Sequence, residues 1–88
     1  MSLSEQFKKA ADAMSAGGKN NTIKITNDEA LEFYKFFKQA NEGDNTTAEP
    51  GMLSFEKKAK WKAWNTVKGT SKEDAMKHYI ELSKKYVH

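Results

Sequence analysis

The 88-residue chain has no cysteine and no arginine, a single proline and only five glycines. Without cysteine there is no disulfide framework and no thiolate-ligated metal site. All 15 basic residues are lysines. Arginine is the usual tool for bidentate reading of base edges, so sequence-specific DNA recognition loses weight. Lysine still binds phosphate, as a point charge. No apolar run approaches the roughly 20 residues that a membrane-spanning helix needs. The first ten residues, MSLSEQFKKA, hold no apolar signal core. These absences lead us to expect a soluble, cytoplasmic protein that folds as one small domain over residues 1–88.

Catalytic constellations are missing as well. Neither a nucleophile–base pair nor a metal-ligating cluster stands out. The two histidines, His78 and His88, are not spaced to share a metal. His78 falls on the polar face of its helix near Asp74 and reads as a solvated surface residue, and His88 ends the chain. We therefore expect no enzyme and no cofactor.

What is present is charge of both signs, unevenly placed. The net charge of +3 is mild. Residues 1–50 carry 6 Lys and 8 acidic residues, whereas residues 51–88 carry 9 Lys and 4 acidic residues. The first part is thus −2 and the second +5.

Helix-start signals recur. Ser2 with Glu5, Thr26 with Glu29 and Thr70 with Glu73 each read as a capping box. An apolar stripe at 3–4 spacing follows in each case. The first holds Leu3, Phe7, Ala10, Ala11 and Met14 and is expected to stop at Gly17-Gly18. The last holds Ala75, Met76, Tyr79, Ile80, Leu82 and Tyr86. A third helix is expected from about Glu56 to Lys68, ended by Gly69. The only proline, Pro50, sits in a turn-rich connection, GDNTTAEPGM. The fold class is all-α, with four helices and a long link between the second and third.

Helix two is unusual. At 100° per residue, Asp28, Glu32, Lys35, Gln39 and Glu42 form one narrow polar strip. Nearly all the rest is apolar: Ala30, Leu31, Phe33, Tyr34, Phe36, Phe37 and Ala40. That arc is wider than one core-facing stripe. Either this helix is packed by two neighbours, or part of the arc faces a ligand groove. Lys38 projects beside Leu31 and Tyr34 and favours the groove, whereas Lys35 lies on the polar strip and reads as solvated. Helix three repeats the pattern, with Lys60 inside the arc of Ala59, Ala63, Trp64 and Val67. A snorkelling lysine is the simpler account of Lys60. Trp61 and Trp64 read first as core residues, and Lys57, Lys58 and Lys62 as a solvated face. Taken together, the two helices suggest an apolar floor with a cationic rim, suited to an amphiphile that bears phosphates.

The stretches YKFFKQANEGD, EPGMLSFEKKAKWKAWNTVKGTSKEDAMKHYI and the late KKY closely resemble the acyl-CoA-binding protein family. The resemblance runs from Phe7 to Tyr86, and KAKW, AWN and KGTSKEDAM are its most specific parts. It implies an up-down-down-up four-helix bundle that binds medium- to long-chain acyl-CoA thioesters. Such a protein is an intracellular carrier and pool-former in lipid metabolism, monomeric and non-catalytic. It touches membranes or acyl-CoA-using enzymes only transiently and does not bind nucleic acid.

The resemblance also implies site residues. Tyr34 meets the phosphate-bearing ribose, Lys38 and Lys60 hold the 3′-phosphate, and Tyr79 contacts the head group. Phe37 takes the adenine-stacking place where the family commonly has Tyr. Leu31 borders the groove for the acyl chain. Ser15 stands where the family often has a lysine, and the following loop is about four residues longer than usual on this alignment. Lys19 and Lys24 are the candidates for the missing contact. Three alternatives stand beside this reading: a basic-aromatic nucleic-acid module, a membrane-surface protein, and a signalling-peptide precursor of the kind one family member suggests.

Overall fold

Thr26 starts a helix because its side chain and that of Glu29 satisfy each other's backbone. The Glu29 amide donates to Thr26 Oγ1 at 3.1 Å, and the Thr26 amide donates to Glu29 Oε1 at 3.2 Å. Two of the four orphan donors of a helix start are thereby satisfied. This is the second of four helices in the computed structural model, which describes residues 2–19 and 24–86. They are α1 (Leu3–Lys19), α2 (Asn27–Glu42), α3 (Phe55–Asn65) and α4 (Lys72–Ser83). No strand occurs among the described residues, as the all-α expectation required.

Local signals set most of the boundaries, with three differences. First, α1 does not stop at the glycine pair but continues to Lys19. Gly17 is buried within the helix. A helical glycine costs about 1 kcal/mol relative to alanine, a penalty that packing can outweigh. Second, α3 begins at Phe55 and ends at Asn65. Beyond it the chain tightens into i,i+3 turns, Thr66 to Ala63, Val67 to Trp64 and Lys68 to Asn65, before Gly69 at φ 90° breaks away. Third, the cap of α4 is Ser71, whose hydroxyl accepts from the Asp74 amide at 3.1 Å, and not Thr70. Thr70 still belongs to the preceding turn, with its amide bonded to the Val67 carbonyl at 3.0 Å.

Helix α2 lies at the centre of the packing, against α4 on one side and α3 on another, while α1 packs on α4. The main core joins Phe7 and Met14 of α1, Phe33 and Ala40 of α2, and Ala75 and Tyr79 of α4. Its rings meet edge to face. Tyr79 sits 5.1 Å from Phe7 at 78° and 5.2 Å from Phe33 at 73°, the tilted geometry that aromatic quadrupoles prefer. Burial holds the Tyr79 hydroxyl above its ordinary pKa, because the phenolate is the form that desolvation penalises.

The sequence placed Gln39 on a polar, solvated strip, but the structure buries it completely. Its Nε2 donates to Asp44 Oδ1 at 2.9 Å and to the Thr70 carbonyl at 2.7 Å. Asp44 Oδ1 also accepts from the Gly69 amide at 2.8 Å. The end of α2, the start of the long connection and the α3–α4 turn are thus joined by one polar knot. The Gly69 amide, then Gln39, hold the Asp44 carboxyl below its usual pKa; partial desolvation works in the opposite direction. Lys35 is another departure. It is not freely solvated: Nζ lies 2.8 Å from Glu32 and 5.2 Å from the centroid of the Phe36 ring. His78 is exposed as expected, yet its ring stacks on Phe36 at 4.8 Å and 14°.

Candidate ligand-binding site

The long connection between α2 and α3 could have been a loose loop. Instead, both tryptophans of α3 hold it. Trp64 is buried and donates its indole N–H to the Gly43 carbonyl at 2.9 Å. Gly43 adopts φ 82° as it ends α2, a conformation that favours glycine. One turn earlier, Trp61 donates to the Thr47 carbonyl at 3.0 Å. Thr47 is fixed in turn by Asn45, whose buried Oδ1 accepts from the Thr47 amide at 2.9 Å and from its hydroxyl at 2.6 Å. Two indole donors and one asparagine therefore convert the connection into a wall.

Behind that wall, between α2 and α3, is an open pocket of about 280 Å³. Three rings line it, Tyr34, Trp61 and Trp64, together with three lysines, Lys38, Lys57 and Lys60; Thr47 and Pro50 close it on the loop side. The lysines lie over the rings. Lys60 Nζ is 5.6 Å from the centroid of Tyr34, and Lys38 Nζ is 5.0 Å from the Trp64 ring. Each contact is worth about 0.5–1 kcal/mol at an exposed site and leaves ammonium protons free to turn elsewhere. Lys38 also pairs with Glu42, one turn on.

An adjoining pocket of about 360 Å³ continues along the same α2–α3 cleft. Its floor is apolar, made by Ala30 and Leu31 of α2 with Phe55 and Ala59 of α3. Lys60 is the one residue shared by the linings of these two pockets. The cleft therefore has a cationic, ring-lined end and an apolar end, with one lysine between them. That arrangement fits a molecule with an anionic, aromatic head and a hydrocarbon tail.

The six residues singled out from the sequence divide into two groups. Tyr34, Lys38, Lys60 and Leu31 line the cleft. Phe37 and Tyr79 do not line either pocket. Phe37 is 39% exposed, with its ring 5.9 Å from Phe7 and 6.1 Å from Tyr79. Tyr79 is only 5% exposed and belongs to the main core. Lys24 is exposed; the side chain of Lys19 and the whole of His88 lie outside the described residues. Sequence reasoning missed the part played by Lys57, which it assigned to a solvated face, and by Trp61 and Thr47. A signal for two of them was available. Lys57, Lys60, Trp61 and Trp64 recur at 3–4 spacing and so share one face of α3. Among the described residues no group of three or more acidic or histidine side chains could hold a metal ion.

Four helices, a two-ended cleft and a pinned connection define a small all-α ligand-binding protein. The family model described as "Acyl CoA binding protein" matches residues 4–83. An acyl-CoA-binding protein homolog of Drosophila melanogaster is 49% identical over 78 residues, covering 89% of this chain and 86% of the relative. Among solved structures, the crystal structure of ACBP from Moniliophthora perniciosa superposes with a TM-score of 0.86 at 43% identity, covering 99% of this chain and 92% of that one. Acyl-CoA-binding protein 2 of Oryza sativa gives 0.83 at 36%, covering 98% and 91%. The chain belongs to the acyl-CoA-binding protein family.

Proposed function

We propose that this chain binds medium- to long-chain acyl-CoA thioesters and carries them without catalysis, with residues 1–88 acting as one binding domain. Family membership supports the ligand class, and the two-ended cleft supports the mode. The observation that carries it is Lys60, which stands over Tyr34 at 5.6 Å and borders both the ring-lined pocket and the apolar groove.

The acyl chain lies along Leu31 and its neighbours. Burial contributes about 0.8 kcal/mol per methylene, so a chain of a dozen or more supplies about 10 kcal/mol gross, less several kcal/mol for ordering. Lys38 and Lys60 hold the 3′-phosphate beside Tyr34, at about 1.5–3 kcal/mol for each charge-assisted contact before discounting for exposure. Lys38 must first leave Glu42. That pair is half-exposed, and such pairs are worth about 0–1 kcal/mol, so the phosphate prevails. Phe37 offers a partly open ring for the adenine, and Tyr79 supports it from behind, where the two rings are 6.1 Å apart. Binding needs no further cofactor, and the carrier works as a cytoplasmic monomer. No helix of the described residues is long and apolar enough to cross a membrane.

The nucleic-acid and membrane-surface alternatives receive no support from the comparisons. One calorimetric series tests the reading against the nucleic-acid alternative and against plain fatty-acid binding, with palmitoyl-CoA, palmitate, CoA and an oligonucleotide at matched ionic strength. Palmitoyl-CoA should bind tightest by a wide margin, with CoA and palmitate each far weaker. Equal affinity for palmitate and palmitoyl-CoA, or tight oligonucleotide binding, would contradict it.

A further inference from the structure

A turn normally shows the solvent polar residues or glycine. The turn Gly51–Ser54, closed by the Ser54 amide on the Gly51 carbonyl at 3.0 Å, instead carries Met52 and Leu53 at its tip. Met52 is 80% exposed and Leu53 92%, and Phe55, at the start of α3, is 76% exposed. No other large apolar side chain among the described residues is more than 39% exposed. Behind the tip, α3 carries Lys57, Lys58, Lys60 and Lys62, and the turn at its far end carries Lys68, with Glu56 as the only acidic residue between positions 51 and 68. That segment holds five positive charges against one negative.

From this we infer that the 51–55 turn is a docking tip for an anionic lipid bilayer. Met52, Leu53 and Phe55 enter the acyl region while the lysines of α3 engage the head groups. A bilayer offers this layered chemistry, apolar beneath and anionic above, and the turn presents the matching order along its sequence. A second copy of the chain suits the tip poorly, since lysines would face lysines. The tip also continues into the cleft, because Phe55 and Glu56 line the apolar pocket together with Leu31 and Lys60. A docked molecule therefore has its groove mouth at the lipid surface, where an acyl chain passes between bilayer and groove with little exposure to water. That use of the tip rests on the function proposed above, but the docking does not.

Vesicle sedimentation of the ligand-free protein tests it, with phosphatidylcholine alone and with added phosphatidylserine. The variant carries Met52→Ser and Leu53→Ser, two residues that line neither pocket of the cleft. The parent should sediment with the phosphatidylserine vesicles, and less as salt rises. The double variant should partition about tenfold or more weakly, with an unchanged helical spectrum and an unchanged palmitoyl-CoA titration. A parent that stays in the supernatant would overturn the inference, as would a variant that partitions like the parent. Concentration-dependent self-association that the variant abolishes, with no vesicle binding, would overturn it in favour of a second copy. The palmitoyl-CoA titration of the same samples reads the proposed function separately.

Discussion

Phe33 and Tyr34 are neighbours in the chain, yet their rings keep different company. Phe33 is buried and meets Tyr79 at 5.2 Å and Tyr86 at 6.0 Å. Tyr34 is half-buried and has a lysine ammonium over its face. One side of α2 is finished, with rings packed on rings against α4. The other side, toward α3, has ring faces covered by lysine ammonium groups and a cleft left open between the helices. Rings that satisfy one another make a core, whereas rings satisfied by lysines mark a surface that a phosphate-bearing amphiphile can still occupy.

The sharpest way to break this contrast is to truncate each side in turn. Phe33→Ala should cost about 3–5 kcal/mol of stability, as large-to-small changes in cores do. Chemical denaturation would show it, and a loss below about 1 kcal/mol would mean that the α4 side is not the finished one. Lys60→Ala should do the opposite. It should leave the denaturation midpoint nearly unchanged and weaken palmitoyl-CoA binding by about 2 kcal/mol. Unchanged affinity at matched salt would make Lys60 a snorkelling residue.

Phe37 tests the boundary between the two sides. Its ring is packed on Phe7 and Tyr79 but still 39% exposed. Adenine stacking predicts that Phe37→Ala loses affinity toward the lower end of about 1–3 kcal/mol, while Phe37→Tyr binds as well or slightly better. A folded alanine variant with parental affinity would assign the ring wholly to the core. The smallest effect belongs to Glu42. Since it occupies Lys38 in the free protein, Glu42→Gln should strengthen binding by about 0.5–1 kcal/mol. Weaker binding would show that Glu42 orients Lys38 rather than competing for it.

Much of the fold could be read from the chain because its signals are local. Thr26 and Glu29 declare a helix start within four residues, and the Leu3–Met14 stripe declares which face of α1 is buried. Gln39 could not be read this way. Its partners, Asp44 and the Thr70 carbonyl, come together only after the long connection and the α3–α4 turn are in place, so wheel position alone gave it to the solvent. The same limit applies to Ser71 over Thr70, where two adjacent residues can both cap a helix and a turn bond to Val67 decides. In the site, Lys38 and Lys60 were conspicuous as cations inside apolar arcs. Lys57 and Trp61 share a face of α3 with Lys60 and Trp64 by spacing, but that this face looks into a cleft depends on a loop that Asn45 and the indoles fold back across it.

The central claim is that the cationic end of the cleft reads the 3′-phosphate while the apolar end reads the chain. It is tested most directly by titrating the protein with palmitoyl-CoA and with its 3′-dephospho counterpart at fixed ionic strength. The dephospho ligand should bind at least tenfold more weakly, since Lys38 and Lys60 would each lose a charge-assisted contact of about 1.5–3 kcal/mol before exposure is discounted. Equal affinity for the two ligands would contradict the account, leaving both lysines as surface cations resting on aromatic rings.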